Sequence, residues 1–416
     1  MDRDLEGSGG TGRGRPVVLR GRLLGAGPEV ADGCVVAGER VLWSGPSGSL
    51  PPVFVAPPVS DDVVVPGLVD LHCHGGGGVD LGSVRSTGDV RRALEVHWRS
   101  GTTSVVASVM TARWVHMLGA ATVLTAAAER GDLAGVHLEG PFLSPHHAGA
   151  QDGRFMRPGS ARSVHEAADA FGGHLVSMTM APEVPGVLGQ DGAWSAAGLL
   201  GVLPSLGHTR ASADTARAAL EQARSDLAAA GARSTRPTVT HLFNGMPVPH
   251  HRDPGPVLEC LAAAGRGAAV LELVADGVHL APQTVRAVLE MVGPRSVALV
   301  SDATPAAGLG DREVPWGEGV VRVRDGVART GCGALAGGAS TLIDVLRSTV
   351  RSGVPLVEAL RSATATPARV LGRADLGHLR PGAKADMVVL GPELEVRSVV
   401  RGGVVVPPVE HENMRP

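Results

Sequence analysis

Two histidines two residues apart, His72 and His74, close a short apolar run in this chain of 416 residues. In an extended strand, residues two apart share a face, so both imidazoles can reach one cation while Cys73 turns to the other side. Four more apolar runs end in side chains of ligating type: His137-Leu138-Glu139, Gly207-His208-Thr209, Thr240-His241-Leu242 and Ser301-Asp302-Ala303. Imidazoles and carboxylates together suit Zn²⁺ or Fe²⁺. Singly, each is commonplace, because a strand-end histidine is usually held by structural hydrogen bonds and a strand-end acid often caps a helix. Their recurrence at the ends of successive runs is what points to a shared centre. Metal ions acidify water, and Asp302 beside such a water is the candidate general base for hydrolysis by hydroxide, returning the proton to the departing group.

These residues can meet only if the runs are strands opening onto one mouth. From Pro66 onward, apolar runs centred near Leu71, Val106, Val136, Met178, Leu203, Val239, Leu271 and Leu299 alternate with helix-like stretches at 89–98, 113–130, 212–230 and 282–291. Eight such repeats predict an α/β fold, a (β/α)8 TIM-like barrel, with catalytic groups at the C-terminal strand ends. A doubly wound dinucleotide fold is disfavoured, since Gly75-Gly76-Gly77-Gly78 does not form a G-x-G-x-x-G leading into a helix. Short β-like runs before Pro66 and after residue 384 predict a small β-sandwich domain built from both termini. The expected divisions are a flexible 1–15, a β domain from 16–65 and 370–416, and the hydrolase barrel at 66–369.

Composition removes several function classes. The formal charge is −3, with no long basic run, and the chain has 5 Phe, 5 Trp and no Tyr, so a nucleic-acid partner is not expected. Four scattered cysteines without a CxxC pair indicate neither a disulfide scaffold nor a zinc ribbon, and a reducing, cytoplasmic setting is expected. The first fifteen residues lack the apolar stretch of a signal peptide, and no run approaches the length of a membrane helix. Few aromatic residues imply little stacking on a ligand, leaving hydrogen bonds and charge to fix it.

The stretches Pro66 to Gly75, His137-Leu138-Glu139-Gly140-Pro141-Phe142, Thr240 to Met246, Ala275-Asp276-Gly277-Val278-His279, Ser301 to Thr304 and Gly382 to Asp386 together resemble the N-acetylglucosamine-6-phosphate deacetylase family of the amidohydrolase superfamily. The resemblance spans everything but the Gly-rich start. It implies hydrolysis of the N-acetyl group of an amino-sugar phosphate, in amino-sugar metabolism, with Glu139, His208 and His241 on the principal metal. Many two-metal amidohydrolases use a carboxylated lysine as the bridge, but the single lysine here, Lys384, lies far past the eighth strand. Glu139 is therefore expected to bridge to a second metal held by His72 and His74, giving one or two Zn or Fe ions per subunit.

The same resemblance implies substrate contacts at Ala150, Asn244, Gly245, His251, Arg252, His279, Leu335, Ala336 and Gly337. His279 would polarise the acetyl carbonyl. His251 and Arg252 would hold the phosphate, often across the interface of a homodimer. The sequence departs from the family pattern at Gly245, where Ala is usual, at Gln151, where His is commoner, and in Gly337-Gly338-Ala339-Ser340-Thr341. All three fall on the sugar side, which leaves an N-acetylgalactosamine 6-phosphate deacetylase, or another amidohydrolase, as the alternatives. No membrane partner is expected.

Overall fold

The computed structural model describes residues 15–25 and 27–407. The expectation of a flexible N-terminus therefore lies almost wholly outside the described residues, as does the last part of the terminal β domain.

The centre is an eight-stranded parallel sheet whose spatial order follows the sequence. Its strands are Leu68–Cys73, Thr102–Met110, Gly135–Glu139, Leu175–Met180, Leu203–Leu206, Thr238–Val239, Val270–Leu273 and Val297–Leu299. Each contains the apolar run expected of it. Their residues are buried on both faces, as strands sheathed by helices must be. The first and eighth strands close the barrel just beyond the eighth, where Asp302 N–H donates to His72 O at 2.9 Å and His74 N–H to Ala303 O at 2.8 Å. Closure thus runs through the backbones of His72, His74 and Asp302; the seam and the functional mouth coincide.

The helices follow local chemistry. Thr87–Arg99 begins with a capping box between Ser86 and Asp89, and Ala213–Ala229 begins at Ser212, whose hydroxyl accepts from Thr215 N–H. The second of these buries Ala216, Ala219, Leu220, Ala223 and Leu227, one helical stripe against the barrel. The helix expected at 113–130 is two, Trp114–Met117 and Ala121–Glu129. Gly119 closes the first by donating to His116 O at 3.0 Å, and a glycine at that point favours a turn over continuation.

Strands from both ends of the chain form one seven-stranded sheet, ordered Val404–Val406, Val396–Arg401, Met387–Leu390, Val63–Pro66, Val17–Leu23, Val30–Ala37, Val41–Pro46. It has its own apolar cluster, including Val35, Val64, Ala385 and Met387. The lone lysine sits here, with Lys384 Nζ 3.0 Å from Asp386 Oδ2.

One element had no counterpart in the sequence reading. After the eighth strand, Glu313–Trp316, Gly319–Arg324 and Val327–Thr330 form a three-stranded antiparallel sheet with a small core of Val314, Trp316, Val321, Val323 and Ala328. It delivers the following segment, residues 334–338, back to the barrel mouth. Among the described residues, no helix is long and apolar enough to cross a membrane.

Candidate metal centre

The six side chains expected at the mouth converge there as two triads, His72–His74–Asp302 and Glu139–His208–His241. Within each, the donor atoms all lie within 4.8 Å of one another. Glu139 joins the triads. Its Oε1 is 3.0 Å from Nε2 of both His208 and His241, and its Oε2 is 3.2 Å from Nε2 of His74. Asp302 Oδ1 lies 3.4 Å from Nε2 of His72 and of His74.

The chemistry of this donor set fits cations. Nε2 of His72 faces Nε2 of His74 at 3.1 Å, and the His208–His241 pair repeats that distance. Two neutral imidazoles can satisfy such a contact only by using one of the four nitrogens as a donor, whereas lone pairs aimed at a common point suit a metal. The opposite ring nitrogens support that tautomer. His72 Nδ1 donates to Glu272 Oε2 at 3.2 Å, and His208 Nδ1 to His147 O at 2.7 Å, leaving each Nε2 lone pair toward the centre.

Electrostatics point the same way. Burial alone would push the His72 imidazole down, but Asp302 and Glu139 outweigh it and hold its pKa well above the ordinary value. His74 behaves alike: burial opposes its charge, yet hydrogen bonds to Asp302 and Glu139 lift it to about 9. Burial would raise Glu139 and Asp302, and the imidazoles reverse that, keeping both well below the carboxylate norm. Two ionised, buried carboxylates demand positive charge, from protons or from metal.

The ligands sit at turns. His208, His241 and Asp302 have φ of 47°, 30° and 48°, in the left-handed region that β-carbons disfavour. Strain of about 1–3 kcal/mol per residue at such positions is tolerated where the surroundings fix the geometry. One layer deeper, His137 is no ligand. Its Nδ1 pairs with Ser108 Oγ at 2.9 Å and its Nε2 with Thr179 Oγ1 at 2.7 Å, supporting the His72 ring from below at a centroid distance of 4.6 Å.

Above the triads lies a cavity of about 230 Å³. Of the substrate residues expected from sequence, Ala150, Asn244, Gly245, His279, Leu335, Ala336 and Gly337 line it. His251 and Arg252 do not. They project from an exposed turn closed by His250 and Asp253, with Arg252 Nη1 2.9 Å from His251 Nε2. His279 is oriented by Asp276, whose Oδ2 is 2.8 Å from Nδ1, and its Nε2 is 3.0 Å from Ala336 O. Gly245 has φ +61°, and a β-carbon there would lie 2.9 Å from His208 Nδ1, so the chain passes close to that ligand.

Three contributors escaped the sequence reading. Glu272 orients His72, and its signal was a charge inside an apolar strand, Leu271-Glu272-Leu273. Gln151, read there only as a departure on the sugar side, also donates from its amide to Glu139 Oε2. Trp316 lines the cavity and meets His74 edge-to-face at 5.4 Å, so an aromatic surface is present after all. It comes from the unforeseen hairpin, and no local motif marks it.

Residues 63–406 match the model of the amidohydrolase family. The N-acetylglucosamine-6-phosphate deacetylase of Bacillus subtilis (strain 168) is 32% identical over 359 residues, covering 83% of this chain and 85% of that protein. The N-acetylgalactosamine-6-phosphate deacetylase of Escherichia coli O157:H7 is 31% identical, covering 89% and 92%. Among solved structures, a mutant Mycobacterium smegmatis N-acetyl-D-glucosamine-6-phosphate deacetylase in complex with N-acetyl-D-glucosamine-6-phosphate superposes with a TM-score of 0.85 at 33% identity, covering 94% of this chain and all of that one.

Proposed function

The chain belongs to the amidohydrolase family, and from that premise we propose that it hydrolyses the N-acetyl group of N-acetylglucosamine 6-phosphate, releasing acetate and glucosamine 6-phosphate. The observation that carries the chemistry is Glu139, set between two ligand triads at the floor of a substrate-sized cavity. Similarity to the Bacillus and Mycobacterium deacetylases supports the sugar.

Glu139, His208 and His241 would hold one divalent ion, and His72, His74 and Asp302 a second, with Glu139 between them. Ions bound there polarise the amide carbonyl and lower the pKa of water. Asp302, kept ionised, accepts the proton of the attacking water through Oδ1 and returns it to the nitrogen as the C–N bond breaks. His279, its ring fixed by Asp276, offers Nε2–H to the substrate oxygen in place of the Ala336 carbonyl. The Asn244 side-chain amide is anchored to His241 O at 3.2 Å, tying the sugar-binding loop to a metal ligand.

His251 and Arg252 stand off this cavity, and the same turn exposes Val248 at 88%. In keeping with what the resemblance to the deacetylase family implies, they are assigned to the phosphate in the cavity of a second copy, in a homodimer. A mixed dimer of an Asp302→Asn chain and an Arg252→Ala chain should then have one fully competent site, so mixing two inactive variants should recover activity. No recovery would remove the cross-subunit assignment.

The galacto epimer remains as a second reading because the E. coli O157:H7 relative is as similar as the others. Acetate release from N-acetylglucosamine and N-acetylgalactosamine, each with and without 6-phosphate, decides the matter on metal-quantified protein. The expected order places N-acetylglucosamine 6-phosphate first in kcat/KM. A preference for the galacto sugar, or indifference to the phosphate, would reject the assignment.

A further inference from the structure

At the opposite mouth of the barrel lies a second cavity, of about 620 Å³. Arg233, Arg295, Arg361, Arg369, Arg373 and Arg380 line it, joined by His378, and no Asp or Glu is among the lining residues. Its floor is apolar, with Ala368 and Leu376 buried. Arg233 and Arg295 precede the sixth and eighth barrel strands, while Arg361 and Arg369 come from helices Leu356–Ala363 and Ala365–Val370. The cavity is thus built from four separate parts of the chain and lies at the strand N-termini, away from the metal centre.

The charge here is not the average of the chain, which carries −3 overall. Of the six guanidiniums, only Arg373 has a carboxylate partner among the described residues, Asp375 at 2.7 Å. Arg233 instead donates to Gly173 O at 3.2 Å, and neighbouring Arg236 to Arg295 O at 3.0 Å. The Gly173 carbonyl thus holds the Arg233 side chain without neutralising it. Like charges crowded around a concave, partly apolar basin repel one another, and an anion relieves that repulsion. Guanidinium forks match phosphate oxygens in pairs, so five unpaired arginines exceed what one phosphate group uses.

The geometry points to a binding site for an organic diphosphate: the phosphates lie among the arginines and the organic part rests over Ala368 and Leu376. A cavity of this size accommodates a nucleotide-sized compound. The site is separate from the deacetylase centre and does not depend on its assignment.

ADP serves as the probe, titrated calorimetrically into the metal-loaded full chain at about 0.1 M salt, where surface charge is substantially screened. One ADP per chain should bind, adenosine should not, and sulfate should be at least about tenfold weaker. Arg361→Gln/Arg369→Gln, remote from the metals, should weaken ADP at least about tenfold while acetate release stays unchanged. Absence of ADP binding to the parent chain overturns the proposal. So does equal binding of ADP to the double variant, or of sulfate to the parent, since either would mean diffuse attraction only.

Discussion

The side-chain amide of Gln151 donates to Oε2 of Glu139, the same oxygen that faces His74, while its own carbonyl accepts Thr111 N–H at 2.7 Å. Thr111 fixes which end of the amide is which, so Gln151 can only donate to the carboxylate. Glu139 is thereby held in the orientation that lets one carboxylate serve both triads. Replacing Gln151 with Leu keeps the bulk and removes the donor. Partners of this kind typically change metal affinity about 10–100-fold. Competition with a chromogenic chelator should show the weaker of two binding events falling by that factor, with the Glu139–His208–His241 site less affected. Two unchanged affinities would remove Gln151 from the metal centre.

Asp302 belongs to a ligand triad and is also the proposed base, and the two roles separate in Asp302→Asn. The amide keeps an oxygen for the His72–His74 side but cannot take a proton. Turnover should fall by about 10²–10⁴, the usual worth of general acid–base catalysis. Elemental analysis should still find one metal equivalent, at Glu139, His208 and His241. Activity within tenfold of the parent would overturn the assignment of the base.

Much of this centre is legible in the sequence because its signals are local. A period of two places His72 and His74 on one face, and apolar runs ending in His, Glu or Asp mark the C-terminal ends of barrel strands. What stayed hidden depends on contacts between distant segments. Gln151 meets Glu139 only because the loop after the third strand folds back, and Trp316 reaches His74 only because a hairpin inserted after the eighth strand packs on its own small core. The barrel strands themselves are legible, since burial on both faces leaves continuous apolar runs. The break at 118–120 is not legible, because a lone glycine in an alanine-rich stretch is compatible with either one helix or two.

The Asp276–His279 pair gives a pH signature. Burial lowers the His279 pKa, but the hydrogen bond and charge of Asp276 more than compensate, leaving it above the ordinary imidazole value. Burial would raise Asp276, and His279 holds it below the carboxylate norm instead. The imidazole's contribution to stability is therefore complete below about pH 6.5 and fades as pH rises through its elevated pKa. The carboxylate's contribution is present above about pH 3.9 and fades as pH falls through its depressed one. An NMR titration should put His279 above about 6.5 in the parent and lower in Asp276→Asn. Identical midpoints in the two proteins would show that the pair does not set the charge of His279.

Gly337 offers a way to disturb Asp302 without touching His72, His74 or the Glu139–His208–His241 triad. The segment 335–338 lies directly along residues 301–304, with Gly338 N–H donating to Asp302 O at 2.6 Å and Thr304 N–H to Gly338 O at 2.8 Å. A β-carbon on Gly337 would stand 2.3 Å from the Asp302 carbonyl oxygen and 3.1 Å from its Oδ1. The first distance is impossible and involves backbone, so Gly337→Ala must push the segment away from Asp302. Overpacking of this kind costs about 1–3 kcal/mol. Displacement of a reacting group by about 1 Å can cost 10²-fold in rate. Gly337→Ala should therefore lose about 10–100-fold in kcat while keeping the parent's metal content, because no ligand side chain other than Asp302 is crowded. Parent-like kcat would mean that the segment's close approach plays no part in holding Asp302, and loss of metal in step with activity would mean that it acts through the ligands instead.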